Sequence, residues 1–176
     1  GAESLNKLGQ AYSDTLIEIY QYLSQRYLQR CLLPDPAKIM GKELVKEHKK
    51  IHEKELLKAL FYYDKAISIQ PENAALHFDK GVLLDWGYID FEQALTEFNL
   101  AIKYQDRNPF YHKLVTTLYM VVNFDAGKQT MHEESIKKYG PSNFNEIYET
   151  WRNENMYQQN PSINPHSYTK PKGWFG

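Results

Sequence analysis

His48 and His52 stand one helical turn apart with Glu55 close behind, a spacing at which two imidazoles and a carboxylate on a helix can hold a transition metal. Lys46, Lys49, Lys50 and Lys54 crowd the same turns. Their positive field repels a cation, so the stretch reads as a solvated helix face and not a metal site. His77 and His112 lie 35 residues apart, and a shared offset with other residues points to equivalent places in a repeat, a structural role and not acid–base chemistry. Cys31 is the one cysteine. It can form neither an internal disulfide nor a thiolate zinc site, and at the end of an apolar run it reads as a small buried side chain, not a nucleophile. The chain has no glycine-rich phosphate loop, no nucleophile elbow and no recognisable acid–base constellation. The expectation is a non-enzyme without cofactor or metal.

The elements that would position a binding surface come next. With 176 residues, 42% hydrophobic, 24% charged and a formal net charge of -1, the composition fits one soluble domain that needs no staples to hold its core. Near-neutral charge removes the footprint of a general nucleic-acid binder. No stretch approaches the roughly 18 apolar residues of a membrane span; the run Leu118 to Val122 stops at Asn123. Weak peripheral membrane contact through an aromatic, lysine-bearing arm is the most that remains. The chain opens Gly1, Ala2, Glu3, which suggests a processed chain, a fragment or a terminal scar. The lone cysteine suggests an intracellular, reducing compartment such as the cytoplasm, or an organelle interior such as the mitochondrion after removal of a targeting sequence. The unusual figure is an aromatic content of 14%, with 14 Tyr.

From Ser4 to Leu33, apolar residues at Leu5, Leu8, Tyr12, Leu16, Ile19, Tyr20, Leu23, Tyr27 and Cys31 step by three or four. They predict one long amphipathic helix, or two broken near Ser13 and Asp14, ended by Pro34 and Pro36. Ala37 to Ile69 is helix-forming throughout, charged in its first half and apolar on one face in its second. A helix from Leu76 to Trp86 follows, then others from Phe110 to Phe124 and Lys128 to Tyr139. A last one starts at an Asn143–Glu146 capping box and runs to about Tyr157. Asn108 and Pro109 read as cap and first residue of their helix. No strand pattern occurs, so the fold class is all-α. The expected organisation is an N-terminal amphipathic helix over 1–36, helical repeats over 37–140, a capping helix over 141–158 and an extended C-terminal arm over 159–176.

Ala59, Leu60, Tyr63, Asp64, Ala66 and Ile67 recur as Ala94, Leu95, Phe98, Asn99, Ala101 and Ile102, each displaced by 35 residues. A period near ~34 marks paired helices stacked in a solenoid. The segment KALFYYDKAISIQPEN, Lys58 to Asn73, resembles the second helix and exit turn of a tetratricopeptide repeat, with Ala59, Tyr63, Ala66 and Pro71 at the family's spacing. Gly81, Leu84, Ala94, Phe98 and Ala101 continue the likeness. The turn between Gly81 and Ala94 is one residue longer than usual, and the closing proline is delayed to Pro109. LNKLGQAY near the start, with Leu5, Leu8, Gly9 and Tyr12, looks like the first helix of another repeat. Phe110 to Tyr139 is a degraded one, since Thr130, Glu133 and Ile136 stand where small, aromatic and small residues are expected.

The resemblance implies a right-handed solenoid of αα-hairpins whose first helices line a concave groove. Carried over by register, that groove presents Phe78, Val82, Asp85 and Trp86, then Phe110, Lys113, Thr117 and Met120. It suits an amphipathic helix or extended peptide, the alternative being that the chain itself covers these residues. Phe78, Val82 and Phe110 stand where the family's clamp for acidic chaperone tails needs polar groups, so no such clamp is expected. The arm, with Tyr168, Trp174 and Phe175, offers a second docking surface, either in its own groove or on a partner. Tyr12, Tyr63 and Phe98 are expected in the core. The function implied is a protein–protein interaction scaffold, an accessory subunit or assembly factor of a multiprotein complex. The alternative is a free adaptor that binds a peptide reversibly. Partners are other proteins, with no specific nucleic acid expected.

Overall fold

The computed structural model describes residues 1–29, 42–87, 89–122, 124–155 and 163–167. These residues form seven α-helices: α1 (Ala2–Gln29), α2 (Lys42–Ile69), α3 (Ala74–Trp86), α4 (Phe91–Tyr104), α5 (Pro109–Tyr119), α6 (Ala126–Tyr139) and α7 (Phe144–Thr150). A π-helical turn (Trp151–Asn155) continues α7, and a 3-10 turn (Pro165–Ser167) closes the described chain. There is no strand among the described residues, and none of their helices is long and apolar enough to cross a membrane.

Four successive helices start in one way. The carboxamide or carboxylate oxygens of Asn73, Asp90, Asn108 and Asp125 accept the backbone N–H of Leu76, Gln93, Phe110 and Lys128 at 2.9 to 3.3 Å, which satisfies donors that a helix start leaves unpaired. The capping box expected at Asn143 does not form. Its side chain makes no cap bond; Phe144 N–H is taken by Pro141 O at 3.0 Å, which winds the entry as a turn. α5 also stops earlier than its apolar run suggests, because Val121 and Val122 both donate to Leu118 O and close a turn there.

The helices pack as consecutive pairs, α1 with α2, α3 with α4 and α5 with α6. The first pair runs antiparallel: Ser24 Oγ donates to Ala59 O at 3.3 Å and Gln70 Nε2 to Asp14 Oδ1 at 3.2 Å. α1 is unbroken through Ser13 and Asp14. Since Asp14 already meets the residue after the end of α2, the first dozen residues of α1 run past it and are exposed. Tyr12, expected in the core, is therefore 67% exposed. Tyr63 and Phe98 are fully buried with Ala59, Ala66, Ala94 and Ala101. The small residues let helices approach and the aromatics fill the space between them. Gly81 shows how tightly: a Cβ there would lie 2.5 Å from Cε1 of Phe98.

A polar clasp repeats at the same 35-residue offset. In the α3/α4 pair, His77 Nε2 donates to Pro71 O (2.6 Å), Nδ1 meets Glu97 Oε2 (2.7 Å), and the ring stacks on Tyr104 at 5.7 Å. In the α5/α6 pair, His112 Nε2 donates to Asp106 O (2.6 Å), Nδ1 meets His132 Nδ1 (2.8 Å), and the ring stacks on Tyr139 at 6.5 Å. Each histidine ties the turn before its helix to the helix after it. The third pair is thus built on the plan of the second, although Gln129 and Glu133 stand where the second pair has Ala94 and Phe98.

Candidate functional site

The face of α3 and α5 that the sequence offers as an open groove is occupied by the chain itself. Phe78, Val82, Trp86 and Phe110 are all buried, which corrects their reading as an exposed surface. Phe110 meets Phe144 edge-on at 5.1 Å and Trp151 at 5.4 Å. Phe78 stacks on Tyr111 at 4.7 Å and touches Trp151 at 6.1 Å and His166 at 5.3 Å. So α7 and its π-turn fill one part of the groove, and residues 163–167 fill the next. The physical reason is the aromatic content of these segments, which covers apolar surface that water would otherwise wet.

Of the other groove residues, Asp85 is half-buried, and burial pushes its carboxyl up to about 7 against the pull of Arg152. Arg152 in turn lies 5.0 Å over the Trp86 ring. Lys113 lies over Tyr148 at 5.5 Å, and Thr117 donates to Leu114 O at 2.8 Å within its own helix. Met120 is open to solvent, followed by the exposed Val121 and Phe124. Tyr168, Trp174 and Phe175 lie outside the described residues, as does Cys31. No group of three or more potential ligands is placed to hold a metal ion among the described residues.

The segment 163–167 is held by side chains that sequence reasoning missed. Asn108 uses both ends of its carboxamide: Oδ1 caps α5, while Nδ2 donates to Pro165 O at 2.6 Å. His166 bridges two helices, Nε2 to Asp79 Oδ1 at 2.9 Å and Nδ1 to the Tyr111 hydroxyl at 3.0 Å. A carboxylate only accepts, so the Nε2 proton points to Asp79, and Nδ1 shares a hydrogen bond with the Tyr111 hydroxyl. Burial, with Asp79 nearby, raises the Tyr111 hydroxyl far above its ordinary range and keeps it a donor. The second oxygen of Asp79 is buried without a hydrogen-bond partner, so His166 is what compensates this carboxylate. The arrangement reads backbone through Asn108 and side chain through Asp79 and Tyr111, the two elements of peptide recognition. Asn108→Ala should remove a cap and a latch together and cost about 2–3 kcal/mol. Chemical denaturation would measure it, and a loss within about 0.5 kcal/mol would count against the double role.

The 35-residue offset could have exposed the His112–His132 clasp, whose partners match His77 and Glu97. Nothing local marks His166, because Asp79 is 87 residues away from it.

No family model matches the chain, and no solved structure matches it. Among curated proteins it is similar to a TPR repeat-containing protein of Methanocaldococcus jannaschii, 30% identical over 76 residues. Those residues are 43% of this chain but 22% of that relative, so the chain spans at most a minor part of its length. The stacked helix pairs described above are compatible with this likeness.

Proposed function

We propose that the chain is a non-catalytic protein–protein interaction scaffold built as a tetratricopeptide-like stack of αα-hairpins, and that it serves as an accessory subunit or assembly factor of a larger complex. The observation that carries this reading is the groove between α3 and α5. It already holds a short segment of the chain by its backbone at Pro165 and by its side chain at His166, as a peptide-binding scaffold engages a ligand. With the groove filled, the surface left for a partner is its rim. Met120, Val121 and Phe124 form an exposed apolar run at the turn between α5 and α6, and the arm residues Tyr168, Trp174 and Phe175 follow the groove's occupant in the sequence.

Purification of the tagged chain from its native source, with and without Met120→Asp and Phe124→Asp, tests the proposal. A partner that stays in fixed ratio through successive steps, and is lost in the double variant at unchanged melting temperature, is the expected result. Retention by the variant would move the interface elsewhere. The second reading, a reversible adaptor, is favoured by how few residues latch 163–167. It calls for displacement of that segment by a partner peptide, seen as new protease sensitivity around His166 when the partner is added.

A further inference from the structure

α1 carries two apolar faces, and its neighbours cover one. Ile17 and Ser24 are buried against α2, with Tyr20 and Tyr27 beside them. On the opposite side, positions 5, 8, 12, 15, 19, 22 and 26 follow one another in steps of three and four along the helix, which is the seam spacing of a two-stranded coiled coil. They hold Leu5, Leu8, Tyr12, Thr15, Ile19, Tyr22 and Arg26. The large apolar members are 71%, 68%, 67%, 47% and 58% exposed. The single apolar stripe read from the sequence thus divides, with Tyr20 and Tyr27 packed on the α2 side and Leu5, Leu8, Tyr12 and Ile19 exposed away from it.

We infer that this seam is the interface for a second copy of the chain, α1 packing antiparallel on α1. Self-pairing is supported by register. Centred between Ser13 and Asp14, the antiparallel pair sets Leu5 against Tyr22 and Leu8 against Ile19 of the second copy, so four of the five large apolar residues meet one another, while Tyr12 meets the smaller Thr15. The flanking positions are complementary in size. Gly9, around whose Cβ position nothing lies within 4 Å, falls opposite Leu16 of the second copy. Ala11 falls opposite Glu18. A parallel pair would instead set Arg26 against Arg26, like charges at the seam, where the antiparallel pair sets it against Gly1. With its flanks, a seam running the length of α1 offers roughly the 800 Å² per partner that a stable pair needs, and an isolated monomer seldom leaves an apolar stripe of that extent wet. α2 lies on the far side of α1, so the pair would form a layered α2–α1–α1–α2 arrangement. This surface is separate from the groove and rim and does not depend on what they bind.

Sedimentation equilibrium of the full chain over a range of concentrations tests the inference. The expected result is a dimer that Leu8→Glu with Ile19→Glu converts to monomer, with helical circular dichroism and thermal unfolding of the α3–α7 core retained, since both residues are exposed. Direction is read by crosslinking in a Cys31→Ser background. Leu8→Cys and Ile19→Cys chains should form a mixed disulfide with each other and little with themselves. A dimer that survives the double variant, or like-with-like crosslinks, overturns the antiparallel seam. So does a chain that remains monomeric throughout, which would leave the face to a different protein.

Discussion

Phe78→Ala should lower the stability of the protein by about 3–5 kcal/mol, the cost of emptying a fully buried aromatic site that cannot collapse. That is a large part of the roughly 5–15 kcal/mol that holds a domain of ordinary stability. The site cannot close because four rings from four parts of the chain converge on it: Phe98 of α4, Tyr111 of α5, Trp151 of the π-turn and His166 of the closing segment, with centroids 4.7 to 6.1 Å away. Losing Phe78 also removes the surface against which the His166 ring stands edge-on. The segment 163–167 should therefore become open to protease at temperatures where the helices remain folded. Met131→Ala is the control, since a side chain 54% exposed in the same fold should change stability by less than about 0.5 kcal/mol. Chemical denaturation gives the first quantity and limited proteolysis the second. A Phe78→Ala chain with near-native stability would show that the groove is not sealed from within.

Acid should weaken the third helix pair. Asp106 O can only accept, so neutral His112 carries its proton on Nε2, and its bare Nδ1 accepts from Nδ1–H of His132. Burial, the neighbouring His112 and Lys128 hold His132 down to about 4, and burial lowers His112 as well. Tyr119 and Tyr139, the other polar rings against the pair, carry no charge to offset a proton there. In the unfolded chain both imidazoles take up protons near 6.5. Between about 6.5 and about 4 the unfolded state then binds more protons, so the contribution to stability is present above that window and is lost as pH falls through it. Each unit of depression is worth about 1.4 kcal/mol. With part of that screened by solvent, the pair should contribute about 1–2 kcal/mol, or several degrees in melting temperature. His132→Glu copies the pairing that Glu97 gives His77, and should move the decline down into the carboxylate range. Melting temperatures from pH 8 to 4 for both chains decide the matter: parallel curves would show that the histidine pair does not set the acid limit.

The helix pairs were legible because their signals are local. Ala59, Tyr63 and Ala66 and their copies report their own packing, and Asn108–Pro109 announces its own helix start. The groove was legible only as a set of apolar positions on α3 and α5. What covers it comes from residues 144–155 and 163–167, and no local pattern says that Trp151 or His166 returns to Phe78. Tyr12 misled for a related reason. Spacing shows that a helix face is apolar, but whether a neighbour lies against it depends on where α2 ends. The Asn143–Glu146 pair had the right residue types at the right interval, but the backbone enters α7 through the turn from Pro141 and leaves the Asn143 side chain without its donor.

The two kinds of polar tie in this molecule differ in the length of chain they close. The clasps at His77 and His112 each reach 20 residues along the chain, so each helix pair can lock as soon as its own residues are available. The bond from Asp79 to His166 spans 87 and closes a loop whose entropy is unfavourable until the intervening helices are in place. On a growing chain, α3 and α4 are complete long before His166 exists. The groove between α3 and α5 is therefore the last part of the described structure to be sealed, and for that interval Phe78 and Asp79 lack the closing segment that later covers them.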